Sequence, residues 1–273
     1  MRKIVVRKLF LLALFAAFPA LAEDARLIAL VKQGDAEERA GRTRAALVFY
    51  RDAEQIDARN VGVLLRISKQ YSDLIATAKP RDMAEQLAQK SLLYAERAVE
   101  IDPKVAKGHL SVAIAYGKLT DFVGNKEKLE YSKRIKQEAL KSIALDPADD
   151  YAWHVLGRWH AGVANVSGVL KMMAGLVYGG MPAASNEEAA KCLKKAAELA
   201  PQRIIHHSEL ARVYEIMGRK EMAEKQWRTV LALPAVDKED EKDHGEARKA
   251  LALPKSAPLP AASPNTHTST TAR

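Results

Sequence analysis

The stretch Trp153-His154-Val155-Leu156-Gly157-Arg158-Trp159-His160, answered further on by Glu187-Glu188-Ala189 and a segment closing at Leu199-Ala200-Pro201, decides the fold. Trp153, Leu156, Gly157 and His160 fall at helical spacing, as do Ala189, Leu193 and Ala196. The two segments therefore read as a pair of amphipathic helices. Gly157 leaves room for the partner helix to come close. Pro201 stops the second helix, because proline lacks the N–H and clashes with the preceding turn. Between the helices, Val163 to Ser185 is apolar and rich in glycine.

The same punctuation recurs along the chain. Helical segments close at Ile56-Asp57-Ala58, Ile101-Asp102-Pro103, Leu145-Asp146-Pro147, Leu199-Ala200-Pro201 and Leu233-Pro234. These ends lie 45, 44, 54 and 33 residues apart (positions 58, 103, 147, 201 and 234). First helices align independently, at Leu64-x2-Ile67-Ser68-x2-Tyr71, His109-x2-Val112-Ala113-x2-Tyr116 and His207-x2-Leu210-Ala211-x2-Tyr214. A weaker opening unit holds Leu30, Gly34, Ala46, Tyr50 and Ala53. This is the tetratricopeptide pattern, a two-helix unit of about 34 residues reading W-x2-L-G-x2-Y, then A-x3-F and a terminal Pro. Trp153 and Pro201 stand 48 positions apart, against about 28 in the consensus, so some twenty residues are inserted. The expectation is an all-α, tetratricopeptide-like helical-hairpin solenoid of about five irregular repeats plus a C-terminal capping helix. No single pair can bury its apolar stripe alone, so the units must stack.

The ends of the chain read differently. Arg2, Lys3, Arg7 and Lys8, the apolar run Leu9 to Phe18 and the A-x-A site Ala20-Leu21-Ala22 have the form of a signal peptide over residues 1–22. An uncleaved membrane anchor is the alternative, and the apolar run is shorter than the roughly 20 residues of a spanning helix. A periplasmic or otherwise extracytoplasmic location follows as an expectation. Residues 23–253 carry the repeats, with the insert at 163–185, and the Pro-, Ser- and Thr-rich residues 254–273 read as a disordered tail. Without the four leader cations the net charge of +9 falls to +5, too little to point to nucleic acid.

The order Leu156-Gly157-Arg158-Trp159, an apolar insert ending Tyr178-Gly179-Gly180-Met181-Pro182, and Glu187-Glu188-Ala189 leading to Pro201 resembles the regulator of microtubule dynamics proteins. Ala95 to Pro103, Asp146-Pro147, Leu231 to Pro234 and the acidic Glu239 to Glu241 fit the same pattern, so the similarity spans roughly residues 60 to 253. The resemblance implies a tetratricopeptide-like protein associated with microtubules, in some members at mitochondrial or other membranes. It supplies no binding residues.

Counting from each signature, first-helix positions facing a concave groove carry Lys69, Lys107, Lys118, Tyr151, His154, Arg158, Arg212 and Glu215, with Leu65, Leu110, Ile114 and Ile205. Arg and Lys pair with carboxylates and Tyr adds contact area. The expected partner is a protein or peptide segment of acidic character, bound without catalysis at Lys69, Lys107, Lys118, Tyr151, His154, Arg158 and Arg212. Ordinary solvated charges would look the same in sequence. Microtubules enter only through the resemblance, and neither nucleic acid nor firm membrane insertion is expected.

Signals for an enzyme are weak. His154 and His160 are six apart, off the i, i+4 spacing of a two-histidine metal face, and no phosphate loop, nucleophile elbow or H-E-x-x-H is present. No cofactor or metal is implied. His160 and His207 occupy signature positions and read as packing residues. Adjacent His206 and His207 point in different directions. The acid pairs Asp149-Asp150 and Glu187-Glu188 fall in first turns, where the helix dipole accounts for them. Cys192, the single cysteine, reads as a packed hydrophobe. The insert admits three roles: lengthening its helix pair and burying its own face, a Met-rich surface for a partner or apolar ligand, or contact with a membrane surface. The alternative function is accordingly a carrier of a small apolar ligand or lipid.

Overall fold

The computed structural model describes residues 23–168, 171–172, 175–176 and 180–253. The expected signal peptide and disordered tail lie outside those residues. Among the described residues every regular element is helical. Residues up to Leu145 form one compact unit and those from Asp146 a second.

The first unit holds α1 (23–39), α2 (Thr43–Ile56), α3 (Val61–Leu74), α4 (Arg81–Ile101), α5 (Ala106–Leu119) and α6 (Asn125–Leu145), with a 3-10 turn at Ile75–Thr77. The second holds α7 (Asp150–Ala164), α8 (Asn186–Leu199), α9 (Ile204–Ile216), α10 (Lys220–Ala232) and α11 (Lys238–Ala250). Within each unit consecutive helices pack as hairpins, and α3 also meets α5 as α9 meets α11, the neighbour relations of stacked tetratricopeptide units. The long second and third repeats are explained by α4 and α6, each 21 residues against 14 in α2.

The fourth repeat gains its length differently. Helices α7 and α8 keep ordinary lengths of 15 and 14 residues, so the insert is an excursion between them and not an extension of the pair. Its described Met172 and Leu176 are 61% and 80% exposed, where a self-burying face was one expectation.

Small residues set the helix seams. A Cβ on Gly157 would stand 2.7 Å from Leu193 Cγ and 3.2 Å from the Ala189 carbonyl oxygen, so α7 and α8 touch where the signature glycine allows it. Gly34 plays the same part against the ring of the fully buried Tyr50. In the second repeat Ser68 and Ser91 replace the glycine, each hydroxyl donating to the other's carbonyl at 2.8 and 3.0 Å. Around these seams Tyr50, Leu64, Ile67 and Tyr94 form the core of the first unit, and Leu193, Leu210, Trp227 and Leu231 anchor the second.

Helix ends use more than proline. At Asp57, Asp102 and Asp146 the carboxylate accepts the N–H two residues on, at 2.9, 2.9 and 3.0 Å, the turn that aspartate makes with its own backbone. The end at Asp57 therefore needs no proline. Helix starts are capped by Asn60, Asp149, Ser185 and Asp237, each accepting a first-turn N–H.

Gly157→Ala should lower stability by about 1–3 kcal/mol through overpacking of a closed seam. Gly117→Ala, in α5 with no atom within 4 Å of the new Cβ, should raise it by about 0.4–1 kcal/mol. Chemical denaturation of the two variants checks the pair, and equal effects would contradict the seam.

Candidate functional site

Each first helix is seated by one recurring bond. The carbonyl closing the preceding repeat accepts a side-chain N–H from the signature position six residues on: His109 Nε2 to Pro103 at 2.9 Å, Trp153 Nε1 to Pro147 at 3.0 Å and His207 Nε2 to Pro201 at 3.0 Å. In the second repeat the signature residue is Leu64, which cannot donate, and Arg97 Nη2 from α4 reaches the Ala58 carbonyl instead at 3.1 Å. His109 and His207 are thus buried polar hinges as well as packing residues. The other nitrogen of His207 meets Gln226 at 2.8 Å, and that of His109 meets the Glu138 carboxylate at 2.6 Å.

In the first unit the cations of α3 are held by carboxylates of α1 and of α3 itself. Arg66 pairs with Asp35 at 2.7 Å, and Lys69 with Glu38 at 2.9 Å and Asp73 at 2.6 Å. Burial works against the Lys69 charge, but Asp73 and Glu38 outweigh it and raise the pKa above that of an ordinary lysine. Helix α5 differs. Lys107, Ser111, Ile114 and Lys118 recur at i, i+4, i+7 and i+11 on one stripe, with Lys107 and Lys118 exposed and Ser111 and Ile114 half-buried. Among the described residues neither Lys107 nor Lys118 makes an ion pair.

In the second unit the predicted cations are already occupied. Arg158 faces Glu209 at 3.5 Å, and Arg212 holds Glu209 at 3.1 Å and both Asp243 and Glu246 of α11 at 2.6 Å. The hydrogen bond to Glu246 leads the causes that push the Arg212 pKa up, and the Glu246 carboxyl is held down by the same bond. Glu215 accepts from Trp227 Nε1 at 2.7 Å and is likewise spoken for. Of the apolar groove positions Leu110 is buried, and Leu65, Ile114 and Ile205 are half-buried.

His154 is 3% exposed and His206 fully buried, their Nδ1 atoms 3.0 Å apart. His206 Nε2 donates to Asp150 Oδ2 at 2.7 Å, and Arg203 pairs with the same oxygen at 2.9 Å. Tyr151 packs edge-on against both imidazoles, with the Arg203 guanidinium 4.6 Å over its ring. His154 is therefore held in the interior of its unit, 3% exposed. The dipole reading holds for the cap Asp149 but is incomplete for Asp150, whose carboxylate reaches across to α9. Sequence reasoning missed Asp150, Arg203, Glu209, Asp243 and Glu246 as partners, because each lies on a different helix or turn from the residue it holds or serves a role that spacing does not reveal. Burial raises the Cys192 thiol pKa to about 11, so at neutral pH it behaves as a hydrophobe. Among the described residues no group of three or more His, Cys, Asp or Glu side chains could hold a metal, and no helix is long and apolar enough to cross a membrane.

The family described as regulator of microtubule dynamics protein 1-3 matches residues 29–255. The chain is 26% identical over 204 residues to regulator of microtubule dynamics protein 2 of Homo sapiens, covering 74% of this chain and 50% of that protein. To regulator of microtubule dynamics protein 1 of Mus musculus it is 26% identical over 209 residues, covering 75% and 66%. It spans about half the length of the first of these relatives. Among solved structures, a thermophilic TPR protein of Thermus thermophilus superposes with a TM-score of 0.62 at 18% identity, covering 83% of this chain and all of that one, a likeness of fold.

Arg212→Met should cost about 2–4 kcal/mol by stranding the buried Asp243 beside Glu209 and Glu246. Loosening of α11, read by hydrogen exchange, should accompany it. Unchanged protection of α11 would show that its apolar contacts through Ala247 and Leu251 suffice.

Proposed function

The chain belongs to the regulator of microtubule dynamics family, and we propose that it acts without catalysis, as a scaffold whose first unit takes an acidic protein segment along α5 and the neighbouring face of α3. The observation that carries this reading is the contrast between the lysines of α5 and the paired cations of α3 and of the second unit. Arg212 of the second unit is neutralised by three carboxylates of its own unit. Lys107 and Lys118 are spaced three turns apart and unpaired among the described residues, with Ser111 and Ile114 between them. Unpaired lysines keep their hydration until a carboxylate arrives, so they favour capture and orientation of an acidic strand or helix, and half-buried Ile114 supplies apolar contact. The relatives are named for microtubule dynamics, but a chain exported by the leader expected at residues 1–22 would take its acidic segment from a protein other than tubulin. The leader at residues 1–22 argues for activity outside the cytoplasm, a location that fractionation and an N-terminus at Glu23 by mass spectrometry would support.

A second reading, carriage of an apolar ligand or lipid, is favoured by the exposure of Met172 and Leu176. Deleting residues 166–184 should then strip co-purifying lipid.

The test of the main reading is fluorescence anisotropy of the full chain with a labelled glutamate-rich peptide. Lys107→Glu with Lys118→Glu should weaken binding at least about tenfold, near 1.4 kcal/mol, without lowering thermal stability, since no internal ion pair is lost. Arg212→Lys should leave affinity unchanged. Absence of binding, or equal affinity in the charge-reversed variant, would sink the proposal.

A further inference from the structure

The strongest unexplained feature is the imidazole pair inside the second unit. With both rings neutral, the bond between them and the bond to Asp150 are both made. His206 Nε2–H donates to Asp150, so its Nδ1 carries the lone pair that accepts Nδ1–H of His154, 3.0 Å away. A proton added at His206 Nδ1 turns that acceptor into a donor, so the bond breaks unless His154 moves its own proton to Nε2, and in either case a cation sits on a fully buried ring. A proton added at His154 Nε2 places a cation in a site 3% exposed.

We propose that the His154–His206 pair is an acid-sensitive latch between α7 and α9, closed while both rings are neutral and released when either takes up a proton. The charged groups around it favour release. From α7 come Asp150, Tyr151 and Arg158, and from the start and body of α9 come Arg203, His207 and Arg212. Glu209, Asp243 and Glu246 are engaged by Arg212 and are not bonded to the rings. Helices α8 and α10 contribute no hydrogen bond or ion pair to either imidazole among the described residues. Asp150 is thus the one carboxylate bonded to the pair among those residues, and it already serves Arg203.

Burial lowers the pKa of His154, with His206 as the next cause, and burial lowers that of His206 against the opposing pull of Asp150. The opened chain takes protons near the ordinary histidine value of about 6.5, while the closed pair resists them. Stability of the pair is therefore full above that value and is lost as pH falls below it. Opening separates the two helices that carry Arg158, Glu209 and Arg212, and so exposes an inner face that is self-paired at neutral pH.

Hydrogen exchange of the full chain at pH 7.5 and 5.0, corrected for the intrinsic pH dependence of exchange, tests the latch. Opening across α7 and α9 should rise about tenfold or more at pH 5.0, a factor equivalent to one unit of pKa difference, while α3 and α4 stay protected. His206→Gln, which can still donate to Asp150, should reduce that acid response. Equal protection of α7 and α9 at both pH values, or an undiminished acid response in a folded His206→Gln chain, overturns the proposal. Should the variant not fold, imidazole titration in the wild-type chain decides. Two of the seven histidines should stay neutral until α7 and α9 open, and free titration near pH 6.5 with those helices still protected rejects the latch.

Discussion

The repeats depend on how each second helix hands the chain to the next first helix. At the handover a backbone carbonyl turns out of the helix with no helical partner, and a side chain from the incoming repeat captures it. Trp153, His109 and His207 do so from the same signature position, and Arg97 substitutes where Leu64 cannot. A neutral bond of this kind contributes about 1 kcal/mol, but its direction matters as much as its strength. It fixes where the first helix begins, and the seams at Gly34, Ser68 and Gly157 then fix how near the second helix lies. The inner faces are consequences of those two constraints.

Much of this was legible because it is local. Proline and the small signature residues act over a few positions, so a spacing rule finds them, and the helices end where Asp-Pro and Ala-Pro occur. The carbonyl capture was legible in position but not in purpose: Trp and His share the site because both offer a ring N–H, and an apolar-period argument sees only bulk. The ion pairs escaped for a different reason. Arg212 finds Asp243 and Glu246 more than thirty residues on, and Asp150 finds His206 after fifty-six. Such meetings are fixed by packing of whole helices. Counting from the signature put Lys69, Arg158 and Arg212 on inner faces, and His154 too, but could not say which were already paired or enclosed.

That distinction carries the functional content. A cation paired within its own chain must break that pair before it can hold a partner, at a cost comparable with the gain. A solvated lysine loses only water and some rotamer freedom. The second unit, with Arg212 clamped onto α11, is built for cohesion. The α5 stripe in the first unit, with Lys107 and Lys118 unengaged among the described residues, is the surface that the proposed function assigns to a partner. The repeats therefore differ in whether neighbouring carboxylates reach the cations of the first helix: they do at Arg66, Lys69 and Arg212, and among the described residues they do not at Lys107 and Lys118.

The most direct test is a hydrogen-exchange footprint of the full chain with a saturating acidic peptide at low and high salt. The account predicts protection centred on residues 106–119 and the facing turns of α3, fading as salt rises. Protection confined to α9 and α11, to the insert at 163–185, or indifferent to salt would contradict it.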